Sequence, residues 1–254
     1  MKKKTLTALA AALVLTAPLL AEEAHVRSRA PLVVGAVSHL LLPTSAWVNG
    51  QFGAVFKTRI SIANVTSSAY SIRAGFSTQS GEVAAQTFTI LPFETRTFEN
   101  FLSEVFGTSG AGAIDFDSGN TAFRFIVSAQ VYVDGPNGRF STAVQSADEA
   151  GTIVAGRPGY VVGISVNQFD RTNFGCASDS NFPQTITAQV YGPSNQSLGS
   201  LSFAMNPYGW NQVSVPIGVT NGILVITSTQ RAVCYGVVVD NVSNDGTFQL
   251  AVPD

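Results

Sequence analysis

The stretch Arg231 to Val252, RAVCYGVVVDNVSNDGTFQLAV, leaves the chain little choice of local structure. The β-branched run Val237-Val238-Val239 leads into Asp240-Asn241-Val242-Ser243-Asn244-Asp245-Gly246, and a second short run, Thr247 to Val252, follows. Asn, Asp and Gly tolerate the positive φ of tight turns, and the flanking residues suit a pleated strand. The stretch therefore predicts a β-hairpin. The same pattern occurs earlier, at Phe125 to Val144 (FIVSAQVYVDGPNGRFSTAV). Val131-Tyr132-Val133-Asp134 matches Val237-Val238-Val239-Asp240, and Gly138-Arg139-Phe140 matches Gly246-Thr247-Phe248. A pattern written twice predicts two copies of one unit.

The rest of the chain repeats in the same order. Phe56, Thr58, Ile60 and Ile62 alternate with Lys57, Arg59, Ser61 and Ala63, the period of a half-buried strand. Tyr70, Ile72, Ala74 and Phe76 alternate again, and Ala113 to Asp117 reads as a further strand. Only Phe98 to Phe106 looks helical, over about two turns. In the later half, Lys57-Thr58-Arg59 is answered by Arg171-Thr172-Asn173, Ile62 by Cys176 and Asn64 by Ser178. Leu91-Pro92-Phe93 is answered by Asn206-Pro207-Tyr208, and Gly112 to Phe116 by Gly222 to Ile226. Gly175 weakens the alternation of the later copy. The expected organisation is a segment 22–44 with a leading strand, a first unit 45–145, a charged, Gly-containing linker 146–159 and a second unit 160–254.

Residues 1–21 read as a signal peptide. Lys2, Lys3 and Lys4 precede an apolar run from Leu6 to Leu20, and Ala21 suits a cleavage site. No later stretch reaches the ~18 uninterrupted apolar residues of a membrane helix. Without the three leader lysines, 11 basic side chains face 16 acidic ones, a net charge of −5, and Lys57 is the sole lysine. That balance argues against nucleic acid and anionic membranes as partners, which need clustered positive charge. Charged residues make up 12% of the chain, about half the usual ~25%, while hydrophobic residues make up 45% and can fill a core.

About seven short strands per unit, with regular turn signals, predict an all-β fold: two tandem immunoglobulin-like antiparallel β-sandwich domains related by internal duplication. The Thr58 to Asn64 strand and the two Val-Asp-turn-Gly-x-Phe hairpins resemble secreted bacterial proteins of tandem immunoglobulin-like modules. The resemblance implies spacer, adhesive or appended modules and no catalytic residue. It also implies that Cys176 and Cys234, on the second and penultimate strands of their unit, face each other between sheets as a disulfide; the alternative is two buried thiols. The cysteines lie 58 residues apart, so a bond would stabilise by roughly 4 kcal/mol. Ile62 and Ser128 are the matching positions in the first unit, which holds without a bridge.

Chemistry is scarce. His25 and His39 are the only histidines, and both precede the first full repeat. A Ser-His-Asp site would have to borrow His39 from the leading strand, and a zinc site lacks ligands. Asp115 and Asp117 share one strand face, about 7 Å apart, which is not the opposed pair of a glycosidase. Calcium could use Asp115, Asp117 and Asn120, or Asp240, Asn244 and Asp245, but these are also ordinary turn formers. No phosphate-binding loop, dinucleotide fingerprint or nucleophile elbow is present. No metal and no cofactor is expected. Phe93, and Tyr208 with Trp210, occupy matching loop positions and are the candidate ligand-binding residues, suited to stacking on sugars or anchoring a protein.

The chain thus reads as a secreted, periplasmic or cell-surface structural and binding protein without catalysis, with a glycan, a protein or itself as partner. The alternatives are a hydrolase using Asp115, Asp117 or His39, and an outer-membrane barrel. The barrel is disfavoured by the non-aromatic ending Val-Pro-Asp and by the frequent loops.

Overall fold

The structure is a computed structural model and describes residues 36–50, 53–135 and 138–254. The signal-peptide reading, His25 and the polar stretch at 22–30 lie outside these. The described chain is all-β, and its strands pair antiparallel throughout. In order they are β1 (His39–Asn49), β2 (Val55–Asn64), β3 (Tyr70–Thr78), β4 (Gly81–Ile90), β5 (Thr95–Phe98), β6 (Gly110–Asp117), β7 (Phe125–Gly135) and β8 (Gly138–Val144). The second half continues with β9 (Gly159–Val166), β10 (Asp170–Ser178), β11 (Gln184–Tyr191), β12 (Ser197–Met205), β13 (Trp210–Ser214), β14 (Val219–Ser228), β15 (Ala232–Asp240), β16 (Gly246–Leu250) and β17 (Val252–Pro253). The helical reading of Phe98 to Phe106 shrinks to one π turn, Leu102–Phe106, and Phe98 ends a strand. The aromatic side chains explain the difference. Phe98, Phe101 and Phe106 fill the first core edge to face, so packing rather than helical periodicity sets their spacing.

Both halves pair their strands in the same order. The second forms one sheet β12-β11-β14-β9-β17 and another β13-β10-β15-β16. The first arranges β4-β3-β6-β1 and β2-β7-β8 in the same sequence, with β5 on β2. Two differences separate them: β17 has no counterpart strand in the first half, and the layers of the first half are joined. β1 changes register between Leu42 and Ser45, next to Pro43, and its last residues pair with β2, so the first-half layers join into one eight-stranded sheet. Each half has its own core, built on the alternation visible in sequence. Thr58, Ile60 and Ile62 are fully buried on β2, and Tyr70, Ile72, Ala74 and Phe76 are buried on β3. A buried threonine occupies the same place in both halves. Thr58 Oγ1 accepts from the Ala46 amide (2.6 Å) and donates to the Ala46 carbonyl, while Thr172 Oγ1 accepts from the Ser165 amide and donates to the Ser165 carbonyl (2.6 Å). Each hydroxyl thus pairs with both backbone groups of one residue on another strand.

Pairing corrects the hairpin match by one residue. Val131 pairs with Thr58, and Val238 pairs with Thr172, so Val238 rather than Val237 stands where Val131 does. The turns differ in length: Gly135 pairs with Gly138, whereas Val239 pairs with Gly246 across a longer loop. Matching the two aspartates therefore shifts the strands. A one-residue shift exchanges the faces of a strand. The counterpart of Cys234 is accordingly Val127, which packs on the first core, and not the exposed Ser128.

Cys176 and Cys234 form a disulfide. It does not join two sheets. The cysteines are directly opposite on β10 and β15, neighbours in one sheet, with Cα atoms 4.0 Å apart. Residues directly opposite on antiparallel neighbours are close enough to be bridged without crossing the core.

The segment 146–159, read as a linker, is tied into both halves. Ala147 bridges to Leu41 and Ile153 to Ala232, and both side chains are buried. The halves meet face to face. Leu41 and Ala113, on the outer face of the β1/β6 layer, pack against Ala177 and Val233 on the outer face of β10/β15, with Trp210 and Leu250 at the margin. Tyr235 and Phe248 reach further and join the first core. Among the described residues no helix is long and apolar enough to cross a membrane.

Candidate functional site

Two turns of one construction carry the exposed aromatic residues. In Leu91-Pro92-Phe93-Glu94 the Glu94 amide donates to the Leu91 carbonyl (3.1 Å); in Asn206-Pro207-Tyr208-Gly209 the Gly209 amide donates to the Asn206 carbonyl (2.9 Å). Proline at the second position and a positive φ at the third make the type II pattern, which normally takes glycine or asparagine at that third position. Here it holds Phe93 (φ 56°) and Tyr208 (φ 52°). A bulky side chain in this region costs of order 1–3 kcal/mol. The two residues are 71% and 52% exposed, so burial offsets that cost only in part.

The two rings do not share a site. Phe93 lies with the exposed Leu91 and Val65 at the tip of the first half, where Asn64 Nδ2 donates to the Leu91 carbonyl. Tyr208 stands at the junction of the halves, where Asn206 Nδ2 reaches across to the Gln79 carbonyl (3.0 Å). Trp210 is not a loop-tip residue. It begins β13, is half-buried, and its indole N–H donates to Tyr235 Oη (3.2 Å). Phe182, which sequence reading missed, is 59% exposed and shares a backbone anchor with Tyr208: Ser180 accepts the Tyr208 amide on its carbonyl and the Phe182 amide on Oγ. Its only signal in the sequence is an aromatic residue between Asn181 and Pro183.

Tyr208 borders a cleft of about 310 Å³ whose floor is Leu41 and Ala113 and whose walls are charged. The charges come from four neighbouring strands, β1, β6, β3 and β4, and from one loop of the second half. Leu41 pairs with Asp115 and His39 with Asp117, so His39 and Asp115 are diagonal neighbours on one face. His39 Nε2 lies 2.7 Å from Asp115 Oδ1, and Arg73 Nη1 lies 3.7 Å from Asp115 Oδ2. Arg73 also pairs with Glu82 across the β3–β4 ladder. From the second half, Asp179 faces the cleft and is held by Arg231 Nη2 at 2.9 Å. A second polar hollow of about 560 Å³ opens on the other side of His39, between Asp117, Asn120, Arg124, Asp148 and Glu149.

The hydrogen bond to Asp115 is the main reason the His39 pKa lies above its ordinary 6.5; Asp115, Asp179 and Asp117 add charge attraction, and partial burial opposes them. A histidine raised on folding stabilises the protein fully below the unfolded value, and this contribution is lost as pH rises through the folded value. The melting temperature should therefore fall as pH rises from about 6.5 through the raised folded-state value, and His39→Gln should flatten that slope. An unchanged slope in the variant would remove His39 as its source.

The sequence candidates for metal binding are committed elsewhere. Asp117 Oδ1 accepts the Gly119 amide and Asn120 Oδ1 the Ala122 amide. Asp240 Oδ1 accepts the amides of Val242 and Ser243 and the Ser243 hydroxyl, and these bonds hold its carboxyl below the usual range. Asn244 Oδ1 accepts from Arg171, and Asp245 Oδ1 from the Gly246 amide. Among the described residues no three His, Cys, Asp or Glu side chains are grouped to hold a metal ion. The geometry offers instead an aromatic ring beside a shallow cleft rich in carboxylates and guanidinium groups, which suits reversible binding of a polar molecule. Comparison with family models and with curated proteins finds no match for the chain.

Proposed function

We propose that the chain is an exported, non-catalytic binding protein, built from two tandem immunoglobulin-like sandwiches descended from one duplicated unit, and that it takes a glycan in the cleft beside Tyr208. Duplication is supported by the equal strand order, the matching hydroxyls of Thr58 and Thr172 and the paired strained turns. The disulfide supports an oxidising compartment outside the cytoplasm. The observation that carries the glycan is Tyr208, kept half-exposed in an unfavourable backbone conformation over a charged cleft. A tyrosine ring offers an apolar face to the C–H groups of a sugar. Asp115, Glu82 and Arg73 offer planar acceptors and donors to adjacent hydroxyls. The cleft volume lies at the lower end of the ~300–1,000 Å³ range of ligand pockets, enough for one or two sugar rings.

The hydrolase reading has the His39–Asp115 pair on its side. Against it, the Ser178 hydroxyl on the cleft wall is donated to the Ser180 carbonyl rather than turned toward His39. A glycan screen with the purified chain, followed by calorimetry on any hit, tests the proposal. Tyr208→Ala is expected to weaken binding about tenfold, equivalent to the ~1.4 kcal/mol of a lost stacking contact. Phe93→Ala should leave affinity unchanged, and the bound glycan should be recovered intact. No hit, an unchanged affinity in Tyr208→Ala, or a cleaved glycan would each overturn the reading.

A further inference from the structure

None of the five strands of the β12-β11-β14-β9-β17 sheet contains a charged residue. One face of this sheet lines the second core through Val161, Ile186, Val190, Leu224 and Ile226. The other face points away from the junction. At its centre two cross-strand rows run side by side: Tyr191, Ile223 and Val162 in one, and Val225, Tyr160 and Val252 in the next. Val162 and Val252 are 56% and 55% exposed. Serine and threonine surround the rows. A sheet face meant for water normally carries lysine or glutamate, which keep it soluble and unpaired.

The first half shows what this chain does with such a face. Its corresponding layer, β4-β3-β6-β1, is apolar where the second half covers it, at Leu41 and Ala113, and charged where it is open, at His39, Arg73, Glu82, Asp115 and Asp117. What covers the apolar part is another sheet of the same chain. By that rule the uncharged face of the second half is a covered face. The open outer face of β2, β7 and β8 does not suit it. There Lys57 pairs with Asp134, Arg59 with Glu99, and Arg139 with both acids, and Arg139 lies over the Tyr132 ring. Burying those ions against valine and tyrosine would strip their hydration without replacing it. An uncharged face is complementary to itself, and self-complementary patches pair about a two-fold axis.

We infer that the chain forms a two-fold dimer through this face, sheet against sheet, with Val162, Ile223 and Val225 at the centre of the contact. The inference is independent of the glycan cleft, which lies on the opposite side of the second half. Sedimentation or light scattering across a concentration series tests it. The unaltered protein should have the mass of two chains, and Val162→Lys and Val225→Lys should each give one chain. Both side chains point outward, so an unchanged melting curve in at least one variant shows that the fold persists. Phe93→Lys, at the far tip, should leave the dimer intact. A single-chain mass at about 100 µM, where interfaces of standard size are saturated, overturns the inference. So does a two-chain mass that survives both lysine substitutions.

Discussion

Replacing Cys176 and Cys234 together by alanine is expected to lower the unfolding free energy by about 4 kcal/mol. The two residues are 58 apart, and the loop they close contains all of β11 to β14, hence three of the five strands of the second half's outer sheet. In the unfolded chain the bond removes most of the freedom of that loop. In the folded chain it asks for nothing new, because β10 and β15 already hold the two positions face to face. The same loss should follow reduction of the unaltered protein. Denaturant unfolding with and without reductant measures both, and a loss below about 1 kcal/mol would mean that the unfolded chain is already constrained by other means.

Tyr235→Ala should cost about 3–5 kcal/mol, the range for emptying an aromatic site in a core. Tyr235 is fully buried at the junction. Its ring stacks on Phe248 at 5.2 Å, and its hydroxyl accepts from Trp210 and donates to Gln212 Oε1 (2.9 Å). Burial raises the phenol pKa, so it stays a neutral donor at any working pH. Tyr235→Phe keeps the ring and loses the hydrogen bonds, and should cost about 1 kcal/mol. Thermal unfolding of the two variants separates packing from hydrogen bonding. Equal losses would show that the hydroxyl network, not the ring, holds the halves together.

The same residue shows where sequence reading stops. Gly175 looks like a flaw in the alternation of β10. In the structure a Cβ at Gly175 would lie 2.4 Å from the Tyr235 ring, so the glycine is the seat of that ring. A gap in one strand is legible in a sequence, but the side chain that fills it comes from a strand sixty residues away. The strands themselves were legible because alternation is local: Thr58, Ile60 and Ile62 face inward as their spacing requires. The hairpin comparison slipped by one residue because turn length is not constrained by the face pattern. Strand position pairs Cys176 with Cys234, but the sheet that holds both is not legible in it, since pairing order is a tertiary property. The cleft was legible only in fragments. His39 and Asp115 each stood out, but Arg73, Glu82 and Asp179 acquire meaning only when β1, β3, β4, β6 and the second half are brought together. Tyr208 was visible as the partner of Phe93, and the backbone strain that sets both apart was not.

Tyr235 and Phe248 also bear on the order in which the protein can be made. They belong to the core that Leu40, Ile60 and Phe116 begin. A ribosome delivers those three long before it delivers the strands that carry Tyr235 and Phe248. Until then the earlier strands hold an open apolar surface, so the first core closes only when the last strands of the second half arrive.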